Sequence, residues 1–487
     1  MEKKKSRREI PAASVQRILT ATLATIQISP PLPLPNPHQN TTQHCISLIK
    51  QHTSTKHLHQ IHAYALRHSL GLYQPHLWNT LIRAYTSNGA PHHALSVYPH
   101  MPAKDKFTFP ITFKACSLLS AFHEGACIHS HLLKLGFASD VYSLNALLYL
   151  YCKCGRLDEA RQVFDRIPER SVASWSAMIA GYDHNGEADK ALELFVQMRV
   201  ADALVDDMAI VSVVSACTEC GCLKFGESVH AHAIVNGILS IELSTAFVDM
   251  YAKCGAISMS REVFNRMPEK NVLSWSAMMG GLAMHGSGKE ALALFIDMLD
   301  ARVKPNSITF THILSACGQN GMVDEGQRYF DRMKDEYWIK PRIEHYGCMV
   351  DLLSRAGLLD QALDFIAKMP MEPTEALWRS LLGSACTHGN LEIGELAMNH
   401  LAKLEPIAGD YVTLANLYAQ KRQWEKVGKV RNMMCDLGVK KVPGYSLIEV
   451  NGVTHKFVVW DRYHPQTPHI YDMLGVIHGE MSASWDQ

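Results

Sequence analysis

Apolar residues recur along most of the chain with the spacing of amphipathic helices. Between Val172 and Asp206 this spacing predicts two helices, the first burying Trp175, Met178, Ile179 and Tyr182 and the second burying Ala191, Leu194, Phe195 and Met198. Gly186 stands between the two stripes and predicts a turn. Neither helix can bury its apolar face alone, because each has only one partner in its own hairpin. Neighbouring hairpins are therefore expected to stack on one another.

The hairpin pattern returns with related sequences about every hundred residues. The segment SWSAM occurs at 174–178 and again at 274–278, and an earlier copy contains Trp78 and Asn79. Two further unit types lie between these copies, one with the motif SAC and one with YCKCG or YAKCG. The predicted units begin near Pro75, Lys106, Val141, Val172, Asp207, Ile241, Val272, Ser307 and Ile343. The pattern predicts an all-α fold, a right-handed superhelical solenoid of stacked helix–turn–helix repeats.

Composition narrows the functional classes. The chain has 487 residues, with 47 Lys and Arg against 47 Asp and Glu, which gives a formal net charge of zero. This balance excludes a protein that binds nucleic acid through bulk positive charge alone. The apolar runs are shorter than the roughly 18 residues of a membrane-spanning helix, so no membrane partner is expected. The 13 cysteines are scattered and odd in number, which indicates reduced thiols.

The first forty residues differ from the rest. The N-terminus is basic and then rich in Ala, Thr and Ser, which is typical of an organelle transit peptide, whereas Glu2 and Glu9 favour a disordered basic tail. A proline-rich stretch from Pro30 to Pro37 predicts a linker. The expected location is the mitochondrion or the chloroplast, with the mitochondrion slightly favoured.

The alternation of three unit types, with the signatures SWSAM, SAC and YAKCG, resembles the plant pentatricopeptide repeat family of the P-L-S class. The resemblance extends from about Pro75 to at least Asp461, and a degenerate repeat precedes it. A helical hairpin of this length is otherwise typical of tetratricopeptide repeats, which bind proteins. The expected divisions are a transit peptide or tail with linker over 1–43, the degenerate repeat over 44–74, the P-L-S repeats over 75–374, extension repeats over 375–441 and a truncated post-extension segment over 442–487.

In the family, a polar residue inside the first helix and the last residue of each unit together select one RNA base. The resemblance maps these pairs to Asn79 with Asp105, Asn145 with Ser171, Ser176 with Asp206, Thr245 with Asn271, and Ser276 with Asn306. The family's rules imply uracil, cytosine, guanine, adenine and adenine in that order. The middle-type units fit no clear rule, so the implied target is 5′-U-n-C-G-n-A-A. Asn, Ser, Thr and Asp near helix termini are also common caps that need no ligand.

The last repeat and the C-terminal motifs also resemble the family. The last repeat has Gly347 and Thr374 where an amide and a carboxylate are usual, which weakens any assignment of the nearest bases. The extension motifs are carried by Leu377-Trp378, Gly389–Glu392, Tyr411–Tyr418, Trp424, Val442–Glu449 and Asp461–Pro465. In the family such extensions follow the RNA-binding repeats of organellar editing proteins, which act in the deamination of cytidine to uridine.

The sequence predicts no catalytic activity and no cofactor. A zinc cytidine deaminase needs H-x-E followed by P-C-x-x-C. His478 and Glu480 match the first element, but no cysteine follows them. A second set comprises Cys217, Cys220, Cys222, His230 and His232, whose spacing superficially resembles a zinc site. Because Cys116 and His129 repeat the separation of Cys217 and His230, we interpret the set as part of the repeat framework.

The sequence is compatible with three functions. The first is a sequence-specific adaptor for single-stranded RNA that recruits a deaminase in trans for C-to-U editing. The second keeps RNA binding but acts in organellar splicing, RNA stability or translation. The third is a protein-interaction scaffold of the tetratricopeptide kind. Candidate phosphate contacts are Lys153, Arg156 and Lys253, although a solvated surface explains them as well.

Overall fold

The computed structural model describes residues 41–51, 54–68, 70, 75–404, 406–438, 444–450, 453–458, 462 and 464–485. Residues 1–40 lie outside these ranges. They contain most of the predicted transit peptide or tail and its proline-rich linker. The side chains of His478 and Glu480 are also outside the description. By chain contacts the protein divides into two compact units, 1–216 and 217–487.

Consecutive helical hairpins make up the first unit. Its helices are Thr41–Gln51, Thr55–Arg67, Pro75–Ser87, Pro91–Val97, Thr108–Leu119, Phe122–Lys134, Val141–Lys153, Leu157–Arg166, Val172–His184 and Ala188–Val200, with a short 3-10 turn at Tyr98–His100. The helix Asp207–Cys220 contains the boundary between the units.

The second unit continues with the same kind of hairpin. Its helices are Leu223–Val235, Ile241–Lys253, Ile257–Arg266, Val272–Met284, Gly288–Asp300, Ser307–Gln319, Val323–Asp335, Ile343–Arg355, Leu359–Ala367, Glu375–His388, Leu391–Leu401, Ala408–Gln420, Trp424–Asp436 and Thr467–Trp485. Two strands, Tyr445–Val450 and Val453–Val458, precede the last helix. No described helix combines the length and the hydropathy that a membrane crossing requires.

The predicted solenoid of stacked hairpins is confirmed. First helices of neighbouring hairpins pack side by side, as Val272–Met284 does between Ile241–Lys253 and Ser307–Gln319. The eight apolar residues predicted to be buried in the hairpin after Val172 are all buried, and Gly186 has the positive φ of 74° that its turn requires. Each hairpin therefore completes its core only with the hairpins beside it.

Eight of the nine predicted unit starts coincide with the first residue of a helix. The exception is Lys106, because the helix begins at Thr108. The Asp105 carboxylate accepts hydrogen bonds from the backbone N–H groups of Phe107 and Thr108, both at 3.0 Å. These bonds hold residues 105–108 in a turn, so the helix begins two residues later than predicted. At the N-terminal end the first described helix begins at Thr41, inside the segment assigned to the tail.

Close helix packing depends on glycine at recurring positions in the middle-type units. A Cβ atom on Gly326 would lie 2.2 Å from a methyl carbon of Leu352, and one on Gly125 would lie 2.3 Å from a methyl carbon of Leu150. A larger side chain would therefore force these buried leucine side chains, or the helices that carry them, to shift.

The sheet is a difference from the predicted all-α fold. The two strands pair antiparallel, with Tyr445 opposite Val458 and Val450 opposite Val453. The dipeptide Asn451-Gly452 is a strong hairpin signal in the sequence, and the segments on both sides of it contain β-branched and aromatic residues. The family resemblance on which the prediction for this segment depends does not indicate strands.

Histidine rings from neighbouring hairpins gather around Tyr85 in the first unit. The rings of His59, His62 and His93 have centroids 5.5, 6.1 and 5.7 Å from that of Tyr85. Among the described residues, Nε2 of His59 and Nε2 of His62 have no hydrogen-bond partner. Burial, together with neighbouring histidines, lowers the pKa of His59 and of His62 to about 4. These rings are therefore neutral in the folded protein at neutral pH.

Stability is expected to fall as the pH falls from about 6.5 to about 4. In this window the unfolded chain, whose histidines have a pKa of about 6.5, binds protons that folded His59 and His62 do not bind. Thermal unfolding at a series of pH values should show this decrease, and His62→Leu should make it shallower. The matched variant His44→Leu alters an exposed histidine and should keep the full pH dependence. An identical slope in the His62 variant and the wild type would contradict the assignment.

Candidate nucleic-acid interface

Four of the five closing residues of the predicted pairs cap the helix that follows them, and Asp105 lies in the turn before its helix. Each side chain accepts a hydrogen bond from the backbone N–H of the third residue after it: Asp105 from Thr108 at 3.0 Å, Ser171 from Ser174 at 3.3 Å, Asp206 from Ala209 at 2.9 Å, Asn271 from Ser274 at 3.0 Å and Asn306 from Thr309 at 3.0 Å. This hydrogen bond is thus present at all five positions, and at four of them the closing residue is the N-cap itself. It fixes each closing side chain at the junction between two hairpins.

In the first unit the closing residue also bonds to its predicted partner. Asn79 donates from Nδ2 to Oδ1 of Asp105 at 2.9 Å, and Ser176 donates from Oγ to Oδ1 of Asp206 at 2.7 Å. Asn145 donates from Nδ2 to Oγ of Ser171 at a longer 3.3 Å. All three predicted pairs of this unit are therefore brought into direct contact.

The two pairs of the second unit are joined less directly. Ser276 and Thr309 share a hydrogen bond of 2.9 Å between their hydroxyl oxygens, and Thr309 donates to Oδ1 of Asn306 at 3.1 Å. Thr245 instead donates to the carbonyl oxygen of Ile241 at 2.7 Å. Asn271 is occupied by the backbone of its own helix. The structure records no hydrogen bond that links Thr245 with Asn271.

Sequence reasoning missed a third member of these networks. The third residue after the closing residue has a hydroxyl group at four of the five junctions. Thr108, Ser174 and Thr309 each hydrogen-bond to the closing side chain through it. Ser274 instead donates to the backbone carbonyl oxygen of Asn271. Ser174 also donates to Oδ1 of Asn145 at 2.8 Å. The signal in the sequence is a Ser or Thr three residues after the closing residue, which is the spacing of a capping box.

In three of the five pairs the first-helix member is buried, whereas Asn145 and Thr245 are partly exposed. Asn79, Ser176 and Ser276 are 7%, 7% and 2% exposed, because they lie where one first helix packs against the next. The closing residues are exposed in the case of Ser171 and partly exposed in the other four cases. A ligand at this surface would first meet the closing side chain. The buried partner sets the rotamer of that side chain and occupies part of its hydrogen-bonding capacity.

The cations proposed for phosphate binding already have intramolecular contacts. Arg156 forms an ion pair with Glu159, and Lys253 forms one with Asp249 at 2.8 Å. Lys153 lies 5.7 Å from the ring centroid of Tyr149. These contacts favour the solvated-surface interpretation for the three residues.

The Cys and His residues that resemble a zinc site belong to the packing of the repeats. His230 shares a hydrogen bond of 3.0 Å between its Nδ1 and the hydroxyl of Tyr251, and His129 does the same with Tyr151 at 2.9 Å. Cys217 is fully buried, and burial raises the pKa of its thiol. Within the described ranges, no group of three or more His, Cys, Asp and Glu is placed to hold a metal ion.

The tryptophans shared by the SWSAM units are core residues, as expected. Trp175 and Trp275 are 5% and 7% exposed, and each meets a phenylalanine edge-on at about 5 Å between ring centroids. In the extension, Trp378 stacks on His400 with 4.0 Å between centroids and an angle of 3° between the planes. These rings hold the hairpins together.

Beyond the extension hairpins, several large apolar side chains are exposed. Tyr445 and Ile448 on the first strand are 59% and 52% exposed. On the last helix the exposed residues are Tyr471, Met473, Leu474, Val476 and Ile477. Exposed apolar residues concentrated in one segment are typical of a surface that another molecule covers.

Family profiles match most of the described chain. The profile for the PPR repeat matches residues 76–105, 173–202, 244–272, 308–337 and 344–372, and related PPR profiles match 135–168 and 270–319. The profile described as E motif matches residues 388–449.

Curated relatives from Arabidopsis thaliana match over most of their length. One, a pentatricopeptide repeat-containing protein named as chloroplastic/mitochondrial, is 40% identical over 443 residues, covering 87% of this chain and 69% of the relative. A second is 39% identical over 427 residues, with 80% of each chain covered. The chloroplastic protein CRR2 is 38% identical and is covered over 63% of its length.

A solved structure supports the fold. The crystal structure of the maize pentatricopeptide repeat protein PPR10 in complex with an 18-nt psaJ RNA element aligns with a TM-score of 0.58 and 14% identity. The alignment covers 86% of this chain and 70% of that one. At this identity the likeness concerns the arrangement of the hairpins.

Proposed function

The chain belongs to the pentatricopeptide repeat family, and we propose that it binds single-stranded RNA sequence-specifically in a plant organelle. The five junctions of Asp105, Ser171, Asp206, Asn271 and Asn306 would each face one nucleotide. The observation that carries the proposal is the direct contact, in three of the five pairs, between a closing side chain and the first helix before it, at 2.9 Å for Asn79 with Asp105 and 2.7 Å for Ser176 with Asp206. A side chain that only caps the following helix does not need a second hydrogen bond to the preceding first helix.

Base choice follows from which hydrogen-bonding groups remain at each junction. The Watson–Crick edge of guanine offers two neighbouring N–H donors, which suit the acceptor-only carboxylate of Asp206. The edge of adenine offers one donor beside one acceptor, which suits the amide of Asn271 or Asn306. A bidentate contact discriminates between bases by about 1–3 kcal/mol. Five junctions in series therefore give specificity without a net positive charge on the protein.

Within this function we favour the recognition of C-to-U editing sites with a deaminase recruited in trans. The match of residues 388–449 to the E motif supports this assignment, because the resemblance connects such extensions with editing. The exposed apolar residues after the extension, including Tyr445, Ile448 and Leu474, offer a surface for the partner enzyme. We propose that the described chain contributes binding and leaves the chemistry to that partner.

The editing role is tested by sequencing organelle RNA from a plant that lacks this protein. The expected result is the loss of C-to-U conversion at one site or a few sites, each preceded by a sequence related to 5′-U-n-C-G-n-A-A. Complementation with the wild-type chain should restore conversion. Intact editing together with altered introns or transcript ends would contradict the editing role and support splicing or RNA processing instead.

The organelle is determined by a separate localisation experiment. Several curated relatives are named as chloroplastic, mitochondrial or both. We propose an organellar location for this chain on the same grounds. Fusion of a fluorescent protein to the C-terminus of the full chain should place it in one of the two organelles.

A further inference from the structure

One linker in the second unit turns at an unexpected residue. The second helices of the middle-type units end in linkers that turn at Gly136 and Gly237, with positive φ values of 79° and 66°. In the corresponding linker after Val323–Asp335 the turn is made by Trp338, whose φ is 56°. A residue other than glycine pays roughly 1–2 kcal/mol for the left-handed region. The chain thus keeps a bulky ring where glycine fits without strain.

The ring gains no packing in return. Trp338 is 86% exposed, in contrast to the buried Trp175 and Trp275. An exposed indole in a strained backbone conformation stabilises nothing in the free protein. Backbone strain of this kind is concentrated at ligand-binding positions, where the ligand supplies the compensating contact.

Trp338 lies at one side of an open cleft. The cleft has a volume of about 370 Å³ and is lined by Arg302, Val303, Lys304 and Pro305 from one linker and by Glu336, Tyr337 and Trp338 from the next. Arg302 likewise has a left-handed backbone, with a φ of 57°. Two consecutive linkers therefore place long or aromatic side chains around a single depression.

The charge of the cleft favours an anion. Arg302 and Lys304 are exposed and form no ion pair with any residue that the structure describes. Glu336 is the acidic residue of the lining, and it is neutralised by Arg332, whose Nε lies 2.7 Å from the carboxylate. Two free cations beside a free aromatic ring suit a ligand that combines phosphate groups with flat bases.

The cleft residues are close along the chain to two closing positions, since four residues span at most about 14 Å. The first linker leads directly into Asn306, which closes the Ser276 unit, and the second leads into Arg342, which closes the next unit. Trp338 is four residues from Arg342, and Arg302 is four residues from Asn306. A strand of RNA whose base faces Asn306 would have its neighbouring nucleotides within reach of the cleft.

We propose that this cleft is an additional contact for single-stranded RNA, in which Trp338 stacks on a nucleobase and Arg302 and Lys304 bind phosphate. The inference rests on the proposed RNA-binding function and adds a contact outside the paired positions. Stacking on an aromatic ring accepts any base. The cleft therefore increases affinity without changing the sequence that the junctions select.

The test compares the variant Trp338→Gly with the wild type in RNA binding and in thermal unfolding. We expect the affinity for RNA containing the implied target and several flanking nucleotides to fall by roughly 5- to 150-fold, the range of one stacking contact. The melting temperature should stay the same or rise, because glycine relieves the strain. Trp338→Phe should retain part of the affinity. The matched control Trp424→Gly removes another exposed tryptophan, 67% exposed, and should leave RNA affinity unchanged.

A salt titration tests the cationic part of the cleft. Replacing Arg302 and Lys304 together with Gln should reduce the slope of log affinity against log salt by about 1.4, whereas Lys403→Gln should not change it. Wild-type affinity in the Trp338→Gly variant, or binding of a peptide rather than RNA at the cleft, would overturn this inference. Failure of the wild-type chain to bind any RNA would instead overturn the proposed function.

Discussion

Replacing Asn306 with Asp is expected to change the preferred base at the last assigned position from adenine to guanine. The substitution gives the Ser276/Asn306 junction the same residue types as Ser176/Asp206, with a carboxylate that can accept from the two N–H donors of guanine. Affinity for the original RNA should fall by about 1–3 kcal/mol, and RNA with guanine at that position should recover it. Competition binding with the two RNAs measures the exchange.

The folded structure should tolerate this change. Asn306 caps its helix through Oδ1, and Asp206 caps the helix Asp207–Cys220 in the same way, so a carboxylate can replace the amide as the cap. A negative charge at a helix N-terminus is also favourable. The reciprocal variant Asp206→Asn serves as the matched control and should exchange guanine for adenine at the earlier position. Uniform loss of affinity for both RNAs in both variants would contradict base selection by these residues.

The variant Phe310→Ala is expected to destabilise the second unit by about 3–5 kcal/mol. Phe310 is fully buried, and its ring lies 5.7 Å from that of Phe295 and 5.3 Å from that of Tyr337. The substitution leaves a cavity where three aromatic rings from two hairpins meet. Hydrogen exchange should show the greatest loss of protection in the hairpin Ser307–Asp335, because a repeat protein opens locally.

Ile308 provides a control on the same helix. It is 48% exposed, so Ile308→Ala should change the free energy of unfolding by less than about 0.5 kcal/mol. Equal destabilisation by the two variants would show that helix propensity, rather than contact between hairpins, determines the stability of this region. The difference between them measures how much each hairpin depends on its neighbours.

Much of the fold can be predicted from the sequence because the same pattern of buried positions recurs in successive repeats. The burial of Trp175 and Met178 is readable from one hairpin, and the second copy around Trp275 confirms the same helical face. Turn glycines such as Gly186 mark the junction between the two helices. The pairing of Asn79 with Asp105 came from the family resemblance, and the structure brings these residues together.

Other features depend on packing that one sequence does not display. Ser276 reaches Asn306 only through Thr309, because the hydroxyl of Thr309 lies between them. The near-complete burial of Ser276 follows from contact between two first helices, which residue spacing alone does not measure. Trp338 gave no signal in the sequence, since the left-handed turn is recognised from glycine and this linker has none.

The central claim is that each of the five paired junctions between hairpins selects one base. The most direct measurement is the affinity of the full chain for 5′-U-n-C-G-n-A-A and for RNAs in which each position is changed in turn. The expected result is a loss of about 1–3 kcal/mol at each of the five assigned bases and little change at the two unassigned ones. Equal affinity for all of these RNAs would contradict the claim.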